Sequence, residues 1–185
     1  MKRFLLVLGV AALLLGTVTV PSAARPGEIE VAGDGILVEV IDQGESWING
    51  GVWHVRGFTG RYLVVGGGAN ADYITGENLS VVNWDWNLKK GTAHVYGKYD
   101  VALAAFDGGY SGNVWSHTAS DPAAVAGPDF DPADPTTWPC SAWDKAKAVG
   151  HGHGELEGSQ ARFTLQSDSC SALFSQEGTI FFPGG

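Results

Sequence analysis

The alternation of histidine and glycine near the C-terminus is the pattern in this sequence with the most direct chemistry. It begins at Gly150 and runs through His151 and His153 to two glutamates, the second of which is Glu157. Because side chains two residues apart on a β-strand point to the same face, these polar groups would project together. Two imidazoles and a carboxylate can supply three ligands to zinc, manganese or iron. One interpretation is therefore a divalent metal site at His151, His153 and Glu157.

The other interpretation of this segment is structural. Its alternating glycines leave no side chains on the opposite face of the strand, which suits close packing against another backbone or a large aromatic ring. The His-x-His spacing is similar to the first metal-binding motif of cupins, but cupins also need a later histidine, and none follows Glu157. The missing ligand favours the structural interpretation, in which no cofactor is required.

A second pattern combines aromatic and polar residues on one predicted strand. Trp84 and Trp86 point to one face, and Asn83 and Asp85 point to the other. We expect the tryptophans to supply binding area, and Asn83, Asp85 and the nearby Arg56 to orient a bound molecule. In the alternative interpretation the tryptophans are core residues and the polar side faces solvent.

The chain contains two cysteines, Cys140 and Cys170. In an oxidising compartment an isolated pair is typical of a disulfide bond. Closing a loop of about 31 residues would stabilise the fold by roughly 3–4 kcal/mol in the chain-entropy model.

Short β-rich runs separated by glycine-containing turns must position these groups. No segment shows a sustained apolar stripe with the 3.6-residue period of a helix, and Thr59-Gly60 has the composition of a hairpin connection. The spacing predicts an all-β fold, an antiparallel up-and-down barrel of about eight strands or a sandwich, and we favour the barrel. The predicted strands are 35–41, 52–58, 61–65, 78–88, 92–106, 110–118, 148–157, 160–166 and 171–182.

The segment 119–147 differs from the rest in composition. It contains five prolines and five aspartates, and proline removes backbone hydrogen-bond donors from a sheet. We expect a long irregular excursion that lies over one end of the barrel as a lid.

The composition limits the class of protein. The chain has 185 residues, enough for one domain, with 27 glycines, 7 tryptophans and only 17% charged residues. A net charge of −9 excludes a protein whose main task is to bind a nucleic-acid backbone. The predicted organisation is a single domain over residues 25–185.

The N-terminus has the order of a secretory signal peptide. Lys2 and Arg3 precede an apolar run from Phe4 to Leu15, and small residues end at Ala24. The alternative is a membrane anchor, but the stretch from Phe4 to Val20 has 17 residues, at the short limit for a span. We predict cleavage after Ala24, a secreted or periplasmic product, and no membrane span in the remaining chain.

Several segments together resemble a family. They are Val149–Gly158, Glu177–Gly184, Trp53–Gly57 and Gly91–Gly97. Their glycine-rich hairpins resemble those of uncharacterised secreted bacterial proteins similar to the allene oxide cyclase and dirigent-type barrels. The resemblance implies an eight-stranded antiparallel barrel whose central cavity holds an apolar or aromatic ligand. No catalytic position of the family can be matched, so no activity is carried over.

The expected function is binding rather than catalysis. The expected partner is a small apolar or aromatic molecule in the barrel, or a component of the cell envelope outside it. The alternative is an enzyme, either metal-dependent or a cofactor-free cyclase that uses the cavity as a template.

Overall fold

A computed structural model describes residues 27–119, 130–134, 137, 142–168 and 172–183. These residues form nine β-strands and one turn of 3₁₀ helix at Ala71–Tyr73. The strands are β1 (Glu28–Asp42), β2 (Glu45–Asn49), β3 (Val52–Gly67), β4 (Gly76–Asn87), β5 (Thr92–Leu103), β6 (Gly108–Ala119), β7 (Ala142–Gly154), β8 (Gln160–Asp168) and β9 (Leu173–Phe181).

The strands form a closed antiparallel barrel, as predicted. From β3 to β9 each strand pairs with the next along the chain, and β1 closes the barrel by pairing with both β9 and β3. Eight strands make the wall, and the short β2 is an additional strand beside the first half of β3. Closure gives each of these eight strands a partner along both sides for at least part of its length.

The chain bends between β1 and β2 at Gly44. This glycine has a φ of +70°, and a side chain there would collide with the carbonyl oxygen of Arg56. The bend lets β1 follow the second half of β3 while β2 follows the first half. One long stretch of chain thus covers the whole of β3, because glycine permits the left-handed conformation at the bend.

The predicted hairpin at Thr59-Gly60 is wrong. Both residues lie inside the continuous strand β3, where Thr59 pairs with Val81 and Gly60 pairs with Ser80. The irregularity is instead a β-bulge between Val55 and Phe58, at which the register with β4 shifts. A bulge accommodates extra residues without ending the strand.

The irregular excursion is shorter than predicted. Strand β6 continues to Ala119, and β7 begins at Ala142 rather than at the predicted Ala148. Ala142 pairs with Asp168, so residues 142–147 belong to the barrel wall although they directly follow the proline-rich stretch. The described part of the excursion, 130–134 and 137, is irregular.

Candidate functional site

The barrel encloses a lumen with an unfilled cavity of about 380 Å³. This volume lies within the range of roughly 300–1,000 Å³ that is typical of small-molecule sites. Most of the side chains around it are aromatic or aliphatic. They include Trp53, Phe58, Tyr62, Trp84, Trp86, Val95, Tyr99, Tyr110, Val114, Ala146, Ala148, Phe163, Leu165 and Phe174.

A cluster of aromatic rings forms the upper part of the lumen, at the end where the proline-rich excursion leaves the barrel. Trp53 lies at its centre, 6.0 Å from the ring of Trp86 and 5.9 Å from the ring of Trp84. Phe130, from the described part of the excursion, meets Trp53 edge-on at 4.9 Å. Through Phe130, the described part of the excursion therefore contacts the upper end of the lumen.

The opposite end of the barrel is filled by side chains. Tyr73 of the 3₁₀ turn contacts Phe106 at 5.0 Å and Phe182 at 5.7 Å. Ile74 and Leu156 are buried in the same hydrophobic cluster. We call this end the floor of the barrel.

The polar side chains that line the lumen are few and neutral among the described residues. Burial raises the pKa of the Tyr62 hydroxyl to about 12. Burial, and then the neighbouring Tyr110, raise the pKa of Tyr99 as well. Ser80 donates a hydrogen bond to Asn78 at 3.2 Å, and both residues line the cavity. These groups could orient a ligand by hydrogen bonds without introducing charge.

The structure separates the five residues predicted to form one binding site. Trp84 and Trp86 are buried and line the lumen. Asn83 and Asp85 alternate with them and lie on the outer side of β4, where Arg56 contacts Asp85. The expectation that the three polar residues orient a ligand inside the barrel is therefore wrong, because the strand wall stands between them and the cavity.

The outer residues form a hydrogen-bonded network of their own. Asp85 Oδ1 accepts hydrogen bonds from His54 Nδ1 and Arg56 Nη2, each at 2.5 Å. Burial of the carboxyl raises its pKa, but the two hydrogen bonds and the charge of Arg56 lower it more, and the net pKa lies below its ordinary value. Asp85 is thus ionised and acts as an acceptor.

The β-bulge in β3 holds Arg56 in this network. Gly57 has a φ of +78°, and its backbone N–H donates to the side chain of Asn83 at 2.9 Å. Arg56 Nη1 donates to the carbonyl oxygens of Val55 and Trp84. Asn83 is therefore a positioning residue for the bulge, and its amide oxygen accepts a hydrogen bond where the strand register shifts.

Aromatic rings surround the same network. The Arg56 guanidinium carbon lies 5.6 Å from the ring centres of both Trp47 and Tyr96. Trp47 stacks on His54 at 5.1 Å, and Trp115 pairs with Tyr96 on the adjacent strand. We refer to Trp47, His54, Arg56, Asp85, Tyr96 and Trp115 as the outer-face cluster.

Trp47, His54, Tyr96 and Trp115 were not predicted from the sequence as site residues. They lie on different strands, and only the register of the sheet brings them together. The one available signal is the repeated His-Val-x-Gly sequence at His54 and His94. These two histidines pair with Asp85 from opposite sides of β4.

The three predicted metal ligands do not converge. His151 and His153 share the outer side of β7, but the strand ends at Gly154, and Glu157 lies in the following turn. His153 instead contacts Asp100 at 3.2 Å. Within the described ranges, no three His, Cys, Asp or Glu side chains are grouped closely enough to hold a metal ion. The prediction that the four polar groups share one strand face is wrong because the strand is shorter than it assumed.

The glycines of this segment have the structural role that was the other interpretation. A side chain on Gly150 would collide with the Tyr99 hydroxyl, and one on Gly152 would collide with the carbonyl oxygen of Leu156. The motif therefore makes room for a buried tyrosine and for the turn after β7.

Two further predictions fall outside the described residues. Cys140 and Cys170, the predicted disulfide partners, are not among them, and neither is the predicted signal peptide, residues 1–24. In the part of the chain that the structure describes, no helix is long and apolar enough to cross a membrane.

Comparisons with known proteins give no match: no family model, curated protein or solved structure is similar to this chain at a significant level.

Proposed function

We propose that the protein binds a small apolar or aromatic molecule in the lumen of its barrel. The observation that supports this most directly is the cavity of about 380 Å³ among aromatic and aliphatic side chains. Well-packed cores rarely contain voids much larger than a water molecule. An unfilled apolar space of this size is the usual property of a binding site rather than of a structural core.

The walls supply the expected binding energy. Apolar surface removed from water contributes about 25 cal/mol per Å², so a ligand that covers most of this lumen gains several kcal/mol from burial alone. The neutral polar groups Tyr62, Asn78 and Ser80 would select among ligands by hydrogen bonding. The described lining carries no charged side chain, so a charged ligand would lose its hydration there with no ion pair from these residues to compensate.

Export of the protein is part of the proposal and depends on the N-terminal pattern. If it is correct, mass spectrometry of the exported protein should give a chain that begins at Arg25. Alkylation should modify Cys140 and Cys170 only after reduction. The other partner predicted from the sequence, a component of the cell envelope, would contact the outer face and not the lumen.

Titration with the neutral fluorescent probe N-phenyl-1-naphthylamine tests lumen binding. We expect its fluorescence to rise on binding and to saturate with the protein. Ala148→Leu extends a side chain into the cavity and should weaken binding at least tenfold. Ala102→Leu makes the same change at an exposed position of β5 and should leave binding unchanged.

Urea unfolding of both variants separates a blocked cavity from a misfolded barrel. Absence of saturable binding to the wild-type protein would contradict the proposal. Equal affinities in wild type and in a folded Ala148→Leu variant would place the bound probe outside the lumen and would contradict it as well.

A further inference from the structure

The outer-face cluster forms a second preorganised surface, separate from the lumen. Its central contacts are the hydrogen bonds of His54 and Arg56 to Asp85. The Arg56 guanidinium makes two more hydrogen bonds to backbone carbonyls. Side chains fixed in this way lose little conformational entropy when a partner binds.

The cluster also presents aromatic rings to solvent. Trp47 is 40% exposed and Trp115 is 38% exposed, on the outer sides of β2 and β6. Tyr96 lies between them, opposite Trp115 and beside Arg56. A second row, in which His94 and His117 stack at 4.7 Å, continues from Asp85 across the same strands. The polar and aromatic surface thus extends across five strands, from β2 to β6.

The chemistry of the surface indicates the class of partner. The charges of Arg56 and Asp85 compensate each other, so the cluster does not favour a strongly anionic or cationic polymer. None of its six side chains is aliphatic, and its apolar surface consists of the flat faces of aromatic rings. Its guanidinium donates hydrogen bonds and its carboxylate accepts them, so together these groups can satisfy hydroxyl groups, which do both.

We propose that the outer-face cluster binds a neutral polysaccharide chain. The C–H faces of the sugar rings would lie on the exposed rings of Trp47 and Trp115, and the sugar hydroxyls would bond to His54 and Asp85. An elongated polymer matches a surface that crosses five strands, since each sugar contributes only a weak contact and several contacts act together.

Affinity electrophoresis in native gels tests this proposal with soluble xyloglucan, galactomannan and mixed-linkage glucan as neutral polymers and alginate as an anionic polymer. We expect at least one neutral polymer to retard the wild-type protein. Trp47→Ala should raise the dissociation constant at least tenfold. Phe181→Ala removes an exposed aromatic ring on β9 and should have no effect.

A second, more conservative variant tests the same surface in case Trp47→Ala does not fold. Asp85→Asn retains the size of the side chain but weakens the contacts that hold His54 and Arg56, and should weaken binding several-fold. Retardation by alginate alone, or by no polymer, would overturn the proposal. Equal retardation of wild type and Trp47→Ala would also overturn it. Ala148→Leu should leave retardation unchanged, which separates this surface from the lumen.

Discussion

The inner and outer sides of strands β3 and β4 shift the pKa values of their polar groups in opposite directions. On the inner side, desolvation dominates and raises the pKa of Tyr62 from its ordinary value of 10.0 to about 12. On the outer side, Arg56 and His54 overcome desolvation, and the pKa of Asp85 is lowered. Residues next to each other in sequence thus form a neutral, apolar chamber on one side and a charged network on the other. A wall one strand thick is enough to separate two kinds of recognition chemistry.

The largest expected effect comes from removing the central ring of the inner side. Trp53 is 1% exposed and contacts both Trp84 and Trp86, so Trp53→Ala should reduce the free energy of unfolding by about 3–5 kcal/mol. Trp47→Ala on the outer side should reduce the free energy of unfolding by about 1 kcal/mol or less. Urea unfolding of both variants measures the difference. Similar losses would show that the two sides do not differ in packing as described.

A pH series distinguishes the inner side by its response to alkali. The Tyr62 hydroxyl ionises near pH 10 in the unfolded chain and near pH 12 in the folded protein. Its contribution to the free energy of unfolding is therefore complete below pH 10 and is lost as the pH rises through 12. Between these pH values the free energy of unfolding of wild type should therefore fall by roughly 2 kcal/mol relative to that of Tyr62→Phe. Unfolding measurements on the two proteins test this. A constant difference would mean that the hydroxyl is in contact with water.

The close contact beneath Tyr99 gives a smaller effect. Gly150→Ala places a methyl group against the Tyr99 hydroxyl and should destabilise the barrel by about 1–2 kcal/mol. Gly67→Ala is the matched control, since its nearest neighbour would be the carbonyl oxygen of Ala32 at 3.8 Å. Thermal unfolding compares the two. If Gly150→Ala is as stable as Gly67→Ala, the glycine is not required for packing.

The smallest expected effect lies on the outer side and appears in acid. Because the folded pKa of Asp85 is lowered, its stabilisation is complete above the unfolded value of 3.8 and is lost as the pH falls through the folded value. At neutral pH the free energy of unfolding of wild type should exceed that of Asp85→Asn by about 1 kcal/mol or less, because the network is partly exposed. The difference should disappear in acid. A difference that persists well below pH 3.8 would contradict the role of the ionised carboxylate.

The fold was predictable because alternation and turns are local signals. The alternation that contains Trp84 and Trp86 correctly predicted which residues of β4 face inward. The turn at Lys89–Gly91 was predictable from its composition, and Gly91 has the positive φ expected of a turn glycine. Closure of the barrel was predictable because the hairpins are numerous and the long strands carry few of the charges that usually protect the exposed edge of an open sheet.

The site was less predictable because it depends on register. Nothing local to Arg56 shows that it belongs to a bulge and meets Asp85, which lies 29 residues later. Glu157 was misplaced because the end of β7 is set by the packing of the following turn. Trp47 joins the cluster through a strand that is outside the eight-stranded wall. Each of these errors concerns a contact between distant segments, which local patterns do not specify.

The filled floor of the barrel has a consequence for exchange kinetics. With Tyr73, Phe106 and Phe182 packed together at that end, a molecule held in the lumen would leave away from the floor, past the exposed Val40 that lines the cavity. The walls would then set how tightly it is held, and this exit would set its residence time. Substitutions at Val40 should therefore change association and dissociation rates together and leave their ratio almost unchanged.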